Sequence, residues 1–289
     1  MIKTYVGCFL ASFDFDQAEG LRRMLAGPKP RIFTFLSATP DDEKSAMLSN
    51  LGASLVRAGN QVVLVDARTG SRGVSSRLEL PHCGTLFDVA RQERALNDVI
   101  HIMPQGFSVA MLTRGSRRDA EELAELPKAR RLANAFDLLA RQADILLVDG
   151  ELNAADALPI PSLSNGEIVV QVSADASSIT AAYSLIKRLN AQLGRRPFGI
   201  LVTGATDQEA QVVYDNMAKA SNRYLAVQLS SLGSVPEDEH VKRAARLGRS
   251  VVDAFPLAGA SVAFRRLAGR VAASEMTAGL RAMRSVGVN

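Results

Sequence analysis

Hydrophobic positions in this chain switch repeatedly between short strand-like runs and stretches with helical spacing. Ile32–Leu36 is the first apolar run and predicts a strand. Glu43–Ala58 carries Met47, Leu51 and Leu55 at helical intervals and stops at Gly59-Asn60. Gln61–Val65 is β-branched and ends at Asp66. Thr85–Arg91 and Leu96–Ile100 read as short helical pieces, and Phe107–Leu112 as a further strand. Ala129–Arg141 predicts a helix and Asp144–Val148 a strand closing at Asp149. Then follow a strand over Glu167–Val172 and a helix over Ser178–Gln192, with Ile179, Ala182, Leu185, Ile186 and Leu189 on one face. Phe198–Val202, Gln208–Ala220 and Ala226–Leu232 continue the alternation as strand, helix and strand. Such alternation predicts an α/β fold: a doubly wound, mostly parallel sheet with helices on both faces.

The ends depart from this rhythm. Asp14–Ala26 is a charged helical candidate cut off by Gly27-Pro28-Lys29-Pro30. Ser261–Arg284 reads as a helical tail. The expected organisation is an N-terminal helix and linker over 1–30, one α/β domain over 31–260, and a tail over 261–289.

Composition narrows the class. The 289 residues are 47% hydrophobic and 22% charged, so a soluble chain of this length can bury a sizeable core. No apolar run is long enough to span a bilayer, and Met1–Leu10 lacks the pattern of a cleaved leader. Cys8 and Cys83 follow no disulfide pattern, which predicts a reducing, cytoplasmic setting. His82, His101 and His240 are scattered, so no metal site is expected. The net charge of +4 suits an acidic protein, anionic lipid or nucleic acid, or simply a solubilising surface. No basic stripe interleaved with aromatics supports direct nucleic-acid binding.

The chemistry centres on the loop after the first strand, Ser37-Ala38-Thr39-Pro40-Asp41-Asp42-Glu43-Lys44-Ser45. Lys-Ser at the start of a helix is the closing pair of a phosphate-binding loop. There the lysine supplies a point charge and the hydroxyl holds magnesium. The glycines that let backbone amides converge on phosphate are missing. Pro40 has no amide to offer. Asp41, Asp42 and Glu43 add negative charge, each costing about 1 kcal/mol per phosphate contact at about 4 Å even in bulk water. The same acids favour a helix N-terminus and can serve simply as caps.

The order strand, loop, Lys-Ser, helix and then Leu64-Val65-Asp66-Ala67 resembles the MinD/ParA group of phosphate-binding-loop ATPases. The resemblance implies an early loop lysine that reaches the nucleotide of a partner subunit; Thr39 stands in its place. It implies a second aspartate two residues after Asp66; the chain has Arg68. The third-strand motif, Asp-Thr-Gly/Ala-Ala-Gly, matches Asp149-Gly150-Glu151-Leu152-Asn153 only at Asp149. The adenine-holding asparagine of a later strand is replaced within Val202-Thr203-Gly204. The site remnants are thus Lys44, Ser45, Asp66 and Asp149. The two aspartates suit either the attacking water and magnesium or a simpler role capping loops at strand ends.

Two further stretches are similar to the flagellar-number regulators of that group (FlhG, also called FleN). They are Ala174–Lys187 and Leu232–His240, the latter followed by Lys242-Arg243-Ala244 and Ser250-Val251-Val252. Asp16-Gln17-Ala18-Glu19-Gly20-Leu21-Arg22 resembles their N-terminal motif. The resemblance implies that Asp16, Gln17, Leu21 and Arg22 contact a signal-recognition-type GTPase, FlhF, and stimulate it. The alternative is a solvated amphipathic helix with Leu21, Met24 and Leu25 docked on the core. It also implies a C-terminal membrane-touching helix. The stripe of Met276, Leu280 and Met283 beside Arg281 and Arg284 is thin for that and reads better as a frayed tail with weak or no membrane contact.

The function expected is a FlhG-like regulator of flagellar number or placement, acting as a monomeric pseudo-ATPase without cofactor, at the cell pole or inner face of the membrane. Its partners would be the FlhF-type GTPase, flagellar switch proteins or a transcriptional activator. Two alternatives stay open: a weak ATPase using ATP and magnesium, and a scaffold of another polar or secretion system.

Overall fold

A computed structural model describes residues 30–68, 73–80, 84–123, 125–153 and 155–273. The predicted N-terminal helix and the tail beyond residue 273 lie outside these residues. In chain order the elements are β1 (Arg31–Ser37), α1 (Asp41–Arg57), β2 (Val62–Asp66), α2 (Val74–Arg77), α3 (Leu86–Ala90), β3 (Ile100–Ile102) and β4 (Ser108–Met111). Next come α4 (Arg117–Leu123), α5 (Leu126–Ala140), β5 (Ile145–Asp149), β6 (Glu167–Ser173), α6 (Ala176–Leu193), β7 (Phe198–Thr203) and α7 (Asp207–Leu225). β8 (Leu229–Val235), α8 (Glu239–Arg246), α9 (Val251–Ala254) and α10 (Gly259–Ala273) complete the domain.

The eight strands form one sheet in the order β3-β4-β2-β5-β1-β6-β7-β8, parallel except for β3 against β4. The β-branched runs are buried on both faces, as parallel strands covered by crossover helices must be. Phe33 and Phe35 of β1 face one way, into a cluster with Met47, Leu48 and Leu51 of α1 and Phe264 and Leu267 of α10. Leu36 faces the other way, toward Ile186 of α6 and Val213 of α7. A separate cluster on that second face joins Val65 and Val148 to Leu132 and Phe136 of α5.

β1 sits centrally, between β5 and β6. The chain winds outward from it in both directions, so the loop after β1 lies at the topological switch point, where such sheets bind ligands. β2 and β5 end level with each other, because Asp66 and Asp149 are register partners.

Several boundaries moved for local reasons. α1 begins at Asp41, ahead of the predicted Glu43, and stops at the expected place, with Gly59 at φ +89. Leu96–Val99 is a 3-10 turn, and Ile100–Ile102 pairs as an edge strand too short to show alternation. β8 starts three residues later than predicted, because Ala226 closes α7 in the left-handed region at φ +51. His240 is the second residue of α8, its ring 4.9 Å from that of Phe255. Asp238 caps both helices beside it, accepting from the His240 amide and the Ala260 amide at 2.9 Å each.

Candidate nucleotide-loop site

Only Ala38, Thr39 and Pro40 separate β1 from α1. The helix is entered three residues before Lys44, which fills with a helical turn the stretch that a phosphate cradle would occupy. Pro40 takes the cap position at φ −53 and ψ 147, and its carbonyl accepts from the amides of Glu43 (3.1 Å) and Lys44 (3.4 Å). Those two donors are consumed inside the first turn. The acids therefore lie inside that turn and not at the cap; Glu43 is exposed, while the Asp41 and Asp42 side chains fall outside the described structure.

The short loop is stitched down on its inner side. The Ala38 amide donates to the Gln171 carbonyl at 2.9 Å, and the Ser178 hydroxyl donates to the Ala38 carbonyl at 3.1 Å. The Thr39 amide donates to Ser37 Oγ at 2.9 Å. Gln171, fully buried, donates from Nε2 to Thr39 Oγ1 at 3.0 Å and to Thr203 Oγ1 at 3.3 Å. Thr39 is therefore turned inward, tied to the strands β6 and β7.

Lys44 lies on the first exposed-to-buried turn of α1 and is 2% exposed. Its ammonium pairs with Asp149 Oδ1 at 2.7 Å and donates to the Gly150 carbonyl at 2.6 Å. Ser45 beside it is 1% exposed, and among the described residues its hydroxyl has no hydrogen-bond partner. Asp149 turns its other oxygen to the Val74 amide at 2.9 Å. Asp66 accepts from the Arg68 amide at 3.2 Å, from the Ser75 amide at 2.9 Å, and from the Ser75 hydroxyl. The structure thus brings the four sequence-picked remnants together at the ends of β1, β2 and β5. Asp16, Gln17, Leu21 and Arg22 lie outside the described residues.

Burial first, and the neighbouring charge of Asp149 second, push the Asp66 carboxyl above its ordinary value; the Ser75 and Arg68 hydrogen bonds only partly offset them. The folded state therefore holds this proton more tightly than the unfolded chain. Its contribution to stability falls as pH rises from the ordinary carboxylate value toward the raised one.

Three features escaped the sequence reading. Gly73 lies against the Asp66 carboxylate, where an added Cβ would come within 2.1 Å of Oδ2. Gln171 rivets the loop from a strand that reads only as apolar. Arg68 and Glu151, read separately as departures from a family pattern, pair with each other at 3.2 Å. Among the described residues no three His, Cys, Asp or Glu side chains gather as a metal set, and no helix is long and apolar enough to cross a membrane.

The fold matches the cell division ATPase MinD of Pyrococcus furiosus with a TM-score of 0.63 at 21% identity, covering 84% of this chain and 98% of that one. A ParA family ATPase from Chlorobium tepidum matches with a TM-score of 0.61 at 20% identity, covering 83% and 99%. No family model matches the chain. In sequence, the antiactivator FleN of Pseudomonas aeruginosa is 32% identical over 229 residues, 79% of this chain and 81% of that protein. An identity of that extent, on this fold, shows that the chain belongs to the MinD/ParA family, in its FlhG/FleN branch.

Proposed function

We propose that this chain regulates flagellar number or placement as a nucleotide-independent binding module, a pseudo-ATPase that acts as a monomer. The observation that carries the reading is the state of Lys44. Its ammonium is buried and paired with Asp149 and the Gly150 carbonyl, and the neighbouring amides belong to a helical turn. These residues do not fit a magnesium triphosphate. Binding one would break a buried ion pair, unwind a turn capped by Pro40, and bring phosphates to a turn that carries the exposed acid Glu43. Nothing in the short loop replaces the lost amide donors, each worth about 1.5–3 kcal/mol toward a charged group.

Such a protein works through contacts. The name of the Pseudomonas relative, antiactivator, supports action on a transcriptional activator. The motif Asp16, Gln17, Leu21 and Arg22 supports contact with an FlhF-type GTPase, and flagellar switch proteins are further candidates. Calorimetric titration of the full chain with ATP and magnesium tests the core of the proposal: no binding is expected, and micromolar binding that vanishes in Lys44→Ala overturns it. A peptide of residues 1–30 tests the GTPase contact, which fails if it leaves GTP turnover by the FlhF-type enzyme unchanged.

One observation favours a second reading, a weak ATPase. Lys44, Ser45, Asp66 and Asp149 remain clustered, and the buried Ser45 hydroxyl has no hydrogen-bond partner among the described residues that would compete with a ligand for it. The same titration separates the two readings.

A further inference from the structure

We propose that the cleft between β8, α7 and α10 is a binding site for a carboxylate carried on a short aliphatic stem. The cleft lies at the far edge of the sheet, three strands from β1, and the inference holds whether or not the chain binds nucleotide. Its volume is about 440 Å³, within the range of pockets that take small organic ligands. Ala210 of α7 and Ala263 and Leu267 of α10, all buried, give it an apolar lining against which a stem can pack.

The polar groups converge on this cleft from all three elements. Arg266 and Arg270 stand one turn apart on the same face of α10. Arg270 donates from Nη1 to the Leu232 carbonyl at 3.0 Å. β8 is shaped to receive it. Its register on β7 slips between Ile200 and Leu201, and Gly233 follows at φ +113, where a Cβ would come within 2.5 Å of Arg270 Nη1. The acceptor is neutral, and among the described residues Arg270 makes no ion pair, so its guanidinium is fixed in place without a counter-charge of its own. Arg266 is aimed differently: Asp207 Oδ2 accepts from its Nη1 at 3.0 Å, while Asp207 Oδ1 accepts from the Ser234 hydroxyl. Like charges one helical turn apart repel, and an oxyanion set between the two forks would remove that cost.

Charge balance selects the anion. Two guanidinium groups and one carboxylate leave the cleft with a single positive charge, which matches a carboxylate. A phosphate dianion would exceed that balance and meet Asp207 besides. A free small acid and a glutamate side chain of a partner protein share the selected chemistry, and the assay separates them.

Titration of the ¹⁵N-labelled full chain at fixed ionic strength, with chloride as the reference anion, tests the site. The probes are butyrate, inorganic phosphate and the peptide acetyl-Val-Glu-Val-amide, followed at the amides of Ser231, Leu232 and Gly233. Butyrate should give saturable shifts there and none at Ala67 or Gly150, and phosphate should bind more weakly. Arg270→Gln and Arg266→Gln should each weaken butyrate on the order of tenfold, with the Leu201 and Val202 amides of β7 unmoved as the control on folding. Asp207→Asn should erase much of the preference over phosphate, a change that general loss of structure would not produce. A peptide that binds on the order of tenfold tighter than butyrate assigns the site to a partner's acidic side chain, and equal affinity assigns it to a free acid; both uphold the site. Shifts that do not saturate with butyrate or peptide, or unchanged butyrate affinity in both arginine variants, would overturn it. Phosphate binding tighter than butyrate in the wild type would overturn the choice of carboxylate.

Discussion

In a working phosphate-binding loop the lysine serves the ligand, and removing it abolishes binding while sparing the fold. Here Lys44 serves the fold. Its ammonium lies 2.7 Å from an aspartate that is 0% exposed, and its own side chain is 3% exposed. Lys44→Met keeps the aliphatic stem and deletes the charge, leaving Asp149 buried with its Oδ2 still on the Val74 amide. Breaking a buried pair in this way costs about 3–5 kcal/mol. At roughly 2–4 °C per kcal/mol for a domain of this size, the melting temperature should fall by roughly 6–20 °C. Asp149→Asn keeps an acceptor for Val74 and removes the other charge. The double variant Lys44→Met with Asp149→Asn should therefore recover much of the loss, with a coupling energy of about 2 kcal/mol. Thermal unfolding by circular dichroism and urea titration of the four proteins close the cycle. An unchanged melting temperature in Lys44→Met, or single losses that simply add in the double variant, would refute the assignment of this lysine to structure.

Other consequences are open to the same assays. Gly73→Ala should destabilise by about 1–3 kcal/mol through overpacking, since its φ of −82 suits alanine while Asp66 Oδ2 lies 2.1 Å from the new Cβ. Asp238→Ala should lower stability by about 2 kcal/mol in urea titration, because it removes hydrogen bonds to both the His240 and Ala260 amides. Asp88 gives a pH signature: burial pushes its carboxyl up, but the Arg114 fork and the Thr85 amide outweigh burial and hold it below 3.8. The stability it adds is full above that ordinary value and is lost as pH falls through the lower folded one, so Asp88→Asn should flatten the acid limb of the unfolding curve.

The sheet was legible because its strands carry the signal themselves. Val62–Asp66, Ile145–Asp149 and Phe198–Thr203 are β-branched or leucine-rich runs of a length that fits nothing else, and each follows a helix of clear periodicity. The three-residue edge strand at Ile100–Ile102 was illegible because its pairing to β4 alone makes it a strand. The helices α4 and α8 went unread because they are short and charged, and α9 because its four residues are too few to show a period; α8 forms around the Asp238 cap as much as through any apolar stripe. In the site, Lys44, Ser45, Asp66 and Asp149 stood out by position relative to strand ends. What could not be read was how they are used. Whether Lys44 faces a ligand or Asp149 depends on β1 lying beside β5, and whether Arg68 and Glu151 meet depends on β2 lying beside β5, juxtapositions of distant segments that only the parallel pairing of the sheet creates.

The claim that this site is closed by its own side chains is tested most directly by a crystal of the full chain grown with ATP and magnesium. The prediction is that Lys44 Nζ stays on Asp149 and the Gly150 carbonyl, with α1 still starting at Asp41 and no nucleotide beside it. Density for a triphosphate at the end of β1, with the Lys44 ammonium swung onto its phosphates and the first turn of α1 unwound, would contradict the account.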